Sequence, residues 1–200
     1  MRDGSLSVVR PRDAEALLDE DAFEREEYLP YWAELWPSGL ALARRVSARA
    51  LRGAHTVELG CGLGLPSVAA ALAGARVLAT DWSPDALPFV IENARRNHAE
   101  LEVALSAWES PGLLLARAPF DLVLAADVLY ERRNVPVLLE LLPRLLSPRG
   151  EAWLADPGRP PAPAFLAAAA ESFSVASAPD ARHPVVMHHT LRALAPASSG

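Results

Sequence analysis

The chain has 200 residues, of which 51% are hydrophobic and 22% charged, with a formal net charge of −6. This length fits a single domain, and the composition is typical of a globular protein. No apolar run reaches the roughly eighteen residues that a membrane span needs. The acidic balance and the lack of a basic run disfavour nucleic acid as a partner and suit a basic, lysine-bearing one. One cysteine cannot form an internal disulfide and the charged first residues lack a signal-peptide core, so we expect a cytoplasmic location.

The N-terminal region divides into a polar extension and an aromatic segment. Residues 1–27 are polar and acidic, with a short helix expected over about 13–27, and we expect this extension to be mobile or lid-like. Residues 28–39, the aromatic lead-in, hold four of the eight Trp and Tyr residues. Aromatic side chains at this density either cap the core or line the mouth of a pocket. Ser38 is placed to cap a helix that runs from Gly39 to about Ala50.

From His55 onwards apolar strands alternate with helices, as in a parallel α/β sheet covered on both faces. Seven strands are predicted, near 55–60, 76–80, 101–105, 120–126, 150–155, 173–176 and 185–193. The helices between them are predicted near 65–73, 84–98, 131–146 and 161–172. A turn-rich piece at 178–184 separates the last two strands, so they are expected to pair antiparallel. Residues 196–200 are predicted to be a frayed tail.

Three alternating glycines follow the first strand. Gly60, Gly62 and Gly64 let the backbone take positive φ values and approach a ligand closely, and the following helix directs its free N–H groups at that ligand. Asp81 ends the second strand, where an acid can accept hydrogen bonds from ribose hydroxyls. Cys61, inside the turn, is interpreted as a small side chain that fills it. The pattern predicts a nucleoside-containing cofactor.

A second group of polar and aromatic residues follows the third and fourth strands. Asp127 and Tyr130 come directly after the fourth strand and are expected in the same crevice as the glycine turn. Asp127 could instead cap the following helix. Trp108, after the third strand, either stacks on an adenine or packs in the core. His183, His188 and His189 are predicted to be solvated surface residues and not a metal site.

These motifs together resemble the class I S-adenosylmethionine (SAM) methyltransferases of the protein-lysine methyltransferase group. Glu58 precedes the glycines in an acid-x-G-x-G-x-G pattern, and the lead-in contains Y-W-A-x-x-W-P at 31–37. Asp127-x-x-Tyr130 and the segment D-P-G-R-P at 156–160 complete the resemblance, which is strongest to the branch that acts on the electron transfer flavoprotein β subunit. It covers about residues 30–160.

The resemblance implies a Rossmann-like, seven-stranded sheet, mostly parallel with an antiparallel last strand and helices on both faces. It implies SAM as cofactor, S-adenosylhomocysteine as product, and no metal. The residues that it assigns to the cofactor are Trp36, Glu58, Gly60, Cys61, Gly62, Asp81, Trp82, Ala107, Trp108 and Ala126. Asp127 and Tyr130 would act on the substrate amine. Trp108 fits the wider lysine-methyltransferase group better than the flavoprotein branch.

Three other functions share parts of this pattern. A small-molecule N- or O-methyltransferase would use the same cofactor half, with an apolar acceptor pocket built from the N-terminal segment. A nucleic-acid adenine methyltransferase carries D/N-P-P-Y/F where this chain has Asp127-Val128-Leu129-Tyr130, without the two prolines. A protein that binds SAM without catalysis would not need Asp127 and Tyr130.

Overall fold

The computed structural model describes residues 5–12 and 31–194. Its seven strands are β1 (His55–Leu59), β2 (Arg76–Asp81), β3 (Glu102–Leu105), β4 (Phe120–Ala126), β5 (Leu146–Asp156), β6 (Phe173–Pro179) and β7 (Met187–Ala193). The α-helices in the described part are α1 (Pro37–Ser47), α2 (Leu65–Leu72), α3 (Leu87–Arg96), α4 (Gly112–Arg117), α5 (Asn134–Leu145) and α6 (Ala162–Ala169). A short 3₁₀ turn at Tyr31–Ala33 precedes α1. None of the described helices is both long enough and apolar enough to cross a membrane.

The strands form one sheet in the order β3-β2-β1-β4-β5-β7-β6. Neighbouring strands from β3 to β5 pair in parallel, whereas β7 pairs antiparallel with both β5 and β6. The predicted fold class is therefore confirmed. The strand order reverses between β1 and β4, and this reversal opens a crevice at the carboxyl ends of the strands.

The two faces of the sheet carry separate apolar cores. One core packs α4, α5 and α6 against the sheet around Phe120, Leu138 and Phe165. The other packs α1 and α2 against the opposite face around Leu42, Leu124 and Trp153. Because both faces are covered, the central strands are apolar on both sides, which explains the continuous run of β4.

Helix α1, helix α4 and the start of strand β5 differ from the predicted elements. Helix α1 begins at Pro37, so Ser38 lies inside its first turn and does not cap it. Helix α4 was not predicted, because it has only six residues and a single fully buried one, Leu114, which gives no helical periodicity. Strand β5 begins at Leu146 and not near residue 150, since a register shift lets Phe120 pair with Leu146 before regular pairing resumes at Glu151.

The histidines near the C-terminus correct one prediction. His183 is exposed as expected, but His189 is buried and its Nδ1 lies 2.7 Å from the Ser177 hydroxyl. His188 is largely buried, with Nε2 3.1 Å from the Asp180 carboxylate. Both side chains are therefore parts of the packing around β7 and not solvated surface groups.

Residues 5–12 lie along α3. The Asn97 side chain exchanges two hydrogen bonds with the backbone of Ser7, and Asn93 does the same with Val9. Asn93 also donates a 2.9 Å hydrogen bond to the carbonyl of Leu63, inside the glycine turn. The N-terminal segment is thus linked to the glycine turn through one side chain. The predicted helix over 13–27 and the tail at 196–200 lie outside the described residues.

Candidate active site

A cavity opens at the strand-order reversal, above the carboxyl ends of β1, β2, β4 and β5. Eleven of the twelve residues that the sequence assigns to the site line it: Trp36, Glu58, Gly60, Cys61, Gly62, Asp81, Trp82, Trp108, Ala126, Asp127 and Tyr130. Ala107 is not among the lining residues. The topology therefore brings residues from four strand ends and from the aromatic lead-in to one place.

The glycine turn forms the floor of this cavity. Gly60, Gly62 and Gly64 all take positive φ values, of 66°, 50° and 75°. A Cβ atom on Gly60 would lie 3.1 Å from the Trp108 ring, and one on Gly64 would lie 2.7 Å from Val90 of α3. The third glycine thus allows close packing of the turn on α3, while the first lets the Trp108 indole approach the turn.

Glu58 lies beneath the turn and is buried. Its Oε2 accepts hydrogen bonds from the Ser67 amide, at 2.8 Å, and from the Ser67 hydroxyl. Burial raises the pKa of Glu58 to about 8 in spite of these two bonds, with a smaller contribution from the charge of Asp81. The cavity therefore holds a carboxyl group that ionises readily only beside a positive charge.

Asp81 is held by two backbone groups at the cavity wall. Its Oδ2 accepts from the Gly62 amide at 2.8 Å and its Oδ1 from the Ser83 amide at 3.0 Å. Each carboxylate oxygen can accept a further hydrogen bond, so the side chain is oriented but not saturated. Burial raises the pKa of Asp81 and these backbone bonds oppose that effect. Such a group is suited to accept hydrogen bonds from a diol.

Aromatic rings form the mouth of the cavity. The Tyr31 ring lies 5.3 Å from the Tyr130 ring and 6.3 Å from the Trp36 ring, and Trp36 Nε1 donates a 2.7 Å hydrogen bond to the Tyr31 carbonyl. The Trp32 backbone carbonyl comes within 3.1 Å of a Cβ built on Gly62. Of the two interpretations of the lead-in, the structure supports the pocket mouth for residues 31–36. Burial raises the pKa of the Tyr130 phenol to about 12, so the hydroxyl stays protonated at alkaline pH as well as at neutral pH.

Asp127 does not cap a helix, and its carboxylate meets a cation. Its φ is 58°, which is unusual for a residue other than glycine, and its amide donates a 2.8 Å hydrogen bond to the Ala155 carbonyl. The carboxylate accepts two hydrogen bonds from Arg159, from Nε at 2.7 Å and from Nη2 at 3.1 Å. The charge of Asp127 is therefore matched inside the cavity by a guanidinium.

Sequence reasoning assigned no role to Arg159, although it noted the D-P-G-R-P segment. Asp156 Oδ1 accepts from the amides of Gly158, at 2.7 Å, and of Arg159, at 2.8 Å, and Gly158 has a φ of 86°. The resulting turn after β5 directs Arg159 into the cavity, with its guanidinium carbon 5.5 Å from the centre of the Trp36 ring. The signal that could have found it is an arginine directly after a strand end beside β4.

The lining residues fit a SAM-like cofactor. A buried carboxyl, Glu58, faces the cavity where a ligand ammonium group would lower its pKa, and Asp81 stands at the end of β2 where ribose hydroxyls bind in such folds. Gly60 and Gly62, which have no side chain, line the cavity beside them. The roles of the individual residues remain predictions.

Comparison with known proteins agrees with this geometry. The family model described as lysine methyltransferase matches residues 26–160. The electron transfer flavoprotein β subunit lysine methyltransferase of Xenopus laevis is 33% identical over 136 residues, which cover 65% of this chain and 53% of that protein. The chain spans about half the length of the curated relatives it matches.

Solved structures agree on the fold. A TehB-like SAM-dependent methyltransferase from Corynebacterium glutamicum matches with a TM-score of 0.64 at 16% identity, covering 87% of this chain and 93% of that one. Magnesium protoporphyrin IX methyltransferase from Synechocystis, solved with bound S-adenosylhomocysteine, matches with a TM-score of 0.59 at 19% identity, covering 77% and 80%. These likenesses confirm a class I methyltransferase fold, and with the family match over more than half of the sequence they confirm the predicted resemblance: the chain belongs to the lysine methyltransferase family.

Proposed function

We propose that the protein is a SAM-dependent N-methyltransferase that methylates a lysine side chain of a protein. The observation that carries the proposal is the meeting of Asp127 and Tyr130 with the glycine turn in one cavity. The first acceptor to test is the electron transfer flavoprotein β subunit, because several curated relatives of this chain are named as lysine methyltransferases of that protein. A cytoplasmic location, expected from the single cysteine, is part of the same proposal.

The methyl donor would be held by the residues of the cavity floor. Glu58 would face the ammonium group of the cofactor's amino acid portion, Asp81 would accept from the ribose hydroxyls, and Trp82 and Trp108 would flank the adenine. Bound SAM would supply an electrophilic methyl group: the acceptor nitrogen would gain the bond to the methyl carbon that sulfur loses, with S-adenosylhomocysteine as the leaving group.

The chain's own residues would orient the amine and exclude water from it. Lysine is normally protonated at neutral pH, so the acceptor must lose a proton to solvent before it can attack. The Asp127 carboxylate would accept a hydrogen bond from an N–H of the acceptor amine and orient its lone pair towards the methyl group. The Tyr130 and Tyr31 rings would wall the channel and exclude water, so that much of the acceleration would come from alignment.

Methyl transfer into proteins tests this proposal directly. The chain contains no lysine, so it cannot be labelled on a lysine of its own. Methyl-lysine in a labelled band therefore identifies another protein as the acceptor. Labelled SAM is added to a lysate of the source organism with wild-type or Asp127→Ala protein, and the products are resolved on a denaturing gel. We expect a discrete band that disappears with Asp127→Ala, while that variant still binds SAM in calorimetry. Label that appears only in small molecules would replace the proposal with a metabolite methyltransferase.

A further inference from the structure

We infer that Arg159 is a positioning residue of the methyl-transfer site, which holds Asp127 and cancels its charge so that the acceptor amine can bind unprotonated. The inference rests on the proposed function and deepens it, since it concerns how the same site selects the reactive form of its acceptor. It assigns a role to the D-P-G-R-P segment.

Arg159 and Asp127 form a pair with fixed geometry. Arg159 uses Nε and Nη2 to reach both Asp127 oxygens, at 2.7 and 3.1 Å, which is the two-pronged arrangement that a guanidinium makes with a carboxylate. Asp127 is buried and its backbone lies in the left-handed region. The bidentate contact with Arg159 and the hydrogen bond from the Asp127 amide to the Ala155 carbonyl together hold Asp127 in this conformation.

Arg159 is itself held from three directions. The Asp156 turn fixes its backbone, Asp127 fixes two of its nitrogens, and its guanidinium lies over the Trp36 ring. Trp36 in turn donates to the Tyr31 carbonyl at the mouth. Arg159 thus connects the end of β5, the end of β4 and the aromatic lead-in, which are far apart in the sequence.

The guanidinium also affects the protonation of the acceptor amine. A bare carboxylate within about 4–6 Å of an amine stabilises the ammonium form and raises the amine pKa by about 1–3 units. An ammonium has no lone pair for attack. When the carboxylate is already neutralised by a guanidinium, this stabilisation is largely removed, so the amine more readily arrives as the free base.

Other charges around the pair do not replace the guanidinium. The titratable groups that act on the pair are Asp156 from β5 and Tyr31 from the lead-in, and the same cavity is lined by Tyr130 and Glu131 from the segment after β4. Arg133 is paired with Glu131, so its charge is already matched. Among the described residues that line the cavity, Arg159 is the only cation.

The test compares pH–rate profiles of Arg159→Gln and Arg159→Lys with the wild type, with electron transfer flavoprotein β subunit as acceptor and saturating SAM. In Arg159→Gln we expect kcat at neutral pH to fall about tenfold or more, to recover as the pH is raised by 1–2 units, and KM not to rise. Arg159→Lys keeps a positive charge and should keep the wild-type profile with a smaller loss. A merely structural role would lower kcat equally at every pH, and that result would overturn the inference.

A matched control comes from another Arg–Asp pair of similar exposure. Arg44 and Asp180 lie 3.0 Å apart, with side chains 29% and 9% exposed, against 33% and 6% for Arg159 and Asp127. Arg44→Gln should therefore leave the pH–rate profile where it is in the wild type. A shift of the same size in Arg44→Gln would mean that general destabilisation moves the profile, which would contradict the assigned role.

A second measurement does not depend on the acceptor. In urea denaturation of the apoprotein, Arg159→Gln and Asp127→Asn should each lower the midpoint, and the double variant should lose less than the sum of the two. Additive losses would show that the pair does not form and would overturn the inference. If the wild type methylates no protein, the proposed function fails, and this cycle still decides whether the pair exists. If the wild type is active and Arg159→Gln keeps its profile, only the inference fails.

Discussion

The pKa of Glu58 makes cofactor binding depend on pH in a way that can be measured. Burial raises this pKa to about 8, so most of the population carries a neutral carboxyl at neutral pH. A ligand whose ammonium group faces Glu58 favours the ionised form, because opposite charges at short range stabilise each other. Binding should therefore release the Glu58 proton, and affinity should rise with pH.

The expected size follows from linkage. If only the ionised form binds, affinity is proportional to the ionised fraction, and between pH 6 and 7.5 a pKa of about 8 gives a rise of about 20-fold. At pH 7 about 0.9 proton should be released per ligand bound. An ordinary glutamate, with a pKa near 4.3, would give almost no change over this range. The range also stays below the pH at which an α-amino group loses its own proton, near 7.7–8.0.

Calorimetry with S-adenosylhomocysteine tests this prediction. Titrations in two buffers of different ionisation enthalpy count the released protons, and repeating them between pH 6 and 7.5 gives the slope. Glu58→Gln keeps the shape of the side chain but cannot ionise, so it should bind more weakly and lose most of the pH dependence. A wild-type affinity that is flat across the range, or a slope that persists in Glu58→Gln, would refute the reasoning.

Three further predictions concern stability. Gly64→Ala should lower the free energy of unfolding by about 2–5 kcal/mol, because its backbone is left-handed and a Cβ atom would lie 2.7 Å from Val90 of α3. Gly112→Ala, which has open space around it, should change the free energy of unfolding by less than about 1 kcal/mol. Equal effects of the two substitutions in urea denaturation would contradict this prediction. Asn93→Ala should cost about 1–3 kcal/mol and speed amide exchange in residues 5–12, because it removes the bonds to that segment and to the glycine turn; unchanged exchange would argue against the link. Hydrogen bonds from His188, Arg44 and two backbone amides hold the pKa of Asp180 below its ordinary value in spite of its burial. The Asp180 carboxylate therefore stabilises the fold at neutral pH, and this contribution is lost as the pH falls below the ordinary carboxyl range. Asp180→Asn should therefore lower the stability by about 1.5–3 kcal/mol at pH 7 and by progressively less as the pH falls below about 3, and a difference that stays constant in this acid range would exclude this explanation.

Sequence patterns were sufficient for the sheet and for the floor of the cavity. Strands β1, β2 and β4 appear in the sequence as apolar runs, because a strand buried on both faces has no polar side. Each of these runs is ended by a glycine or an aspartate. Glycine permits the positive φ values of the turn, and the alternating glycines directly after a strand predict where they occur. These features are local, so no knowledge of the tertiary structure is needed to predict them.

The parts that sequence could not supply depend on contacts between distant residues. Asp127 and Arg159 are 32 positions apart and meet only because β4 and β5 are neighbours in the sheet. The sequence does not decide whether the aromatic lead-in caps the core or lines a pocket mouth, because only the fold brings the Trp32 carbonyl against Gly62. Helix α4 is too short to show a period. The burial of His189 depends on the pairing of β7 with β5 and β6, which a pattern of adjacent histidines does not reveal.

The chemical position of the transferred methyl group tests the account most directly. Purified electron transfer flavoprotein β subunit is incubated with SAM and either wild-type or Asp127→Ala protein, digested, and analysed by peptide mass spectrometry. The account predicts a mass increase of one or more methyl groups on a lysine side chain with the wild type, and none with Asp127→Ala. Methylation that persists in Asp127→Ala, or that falls on a residue other than lysine, would contradict the assignment of this site to lysine methyl transfer.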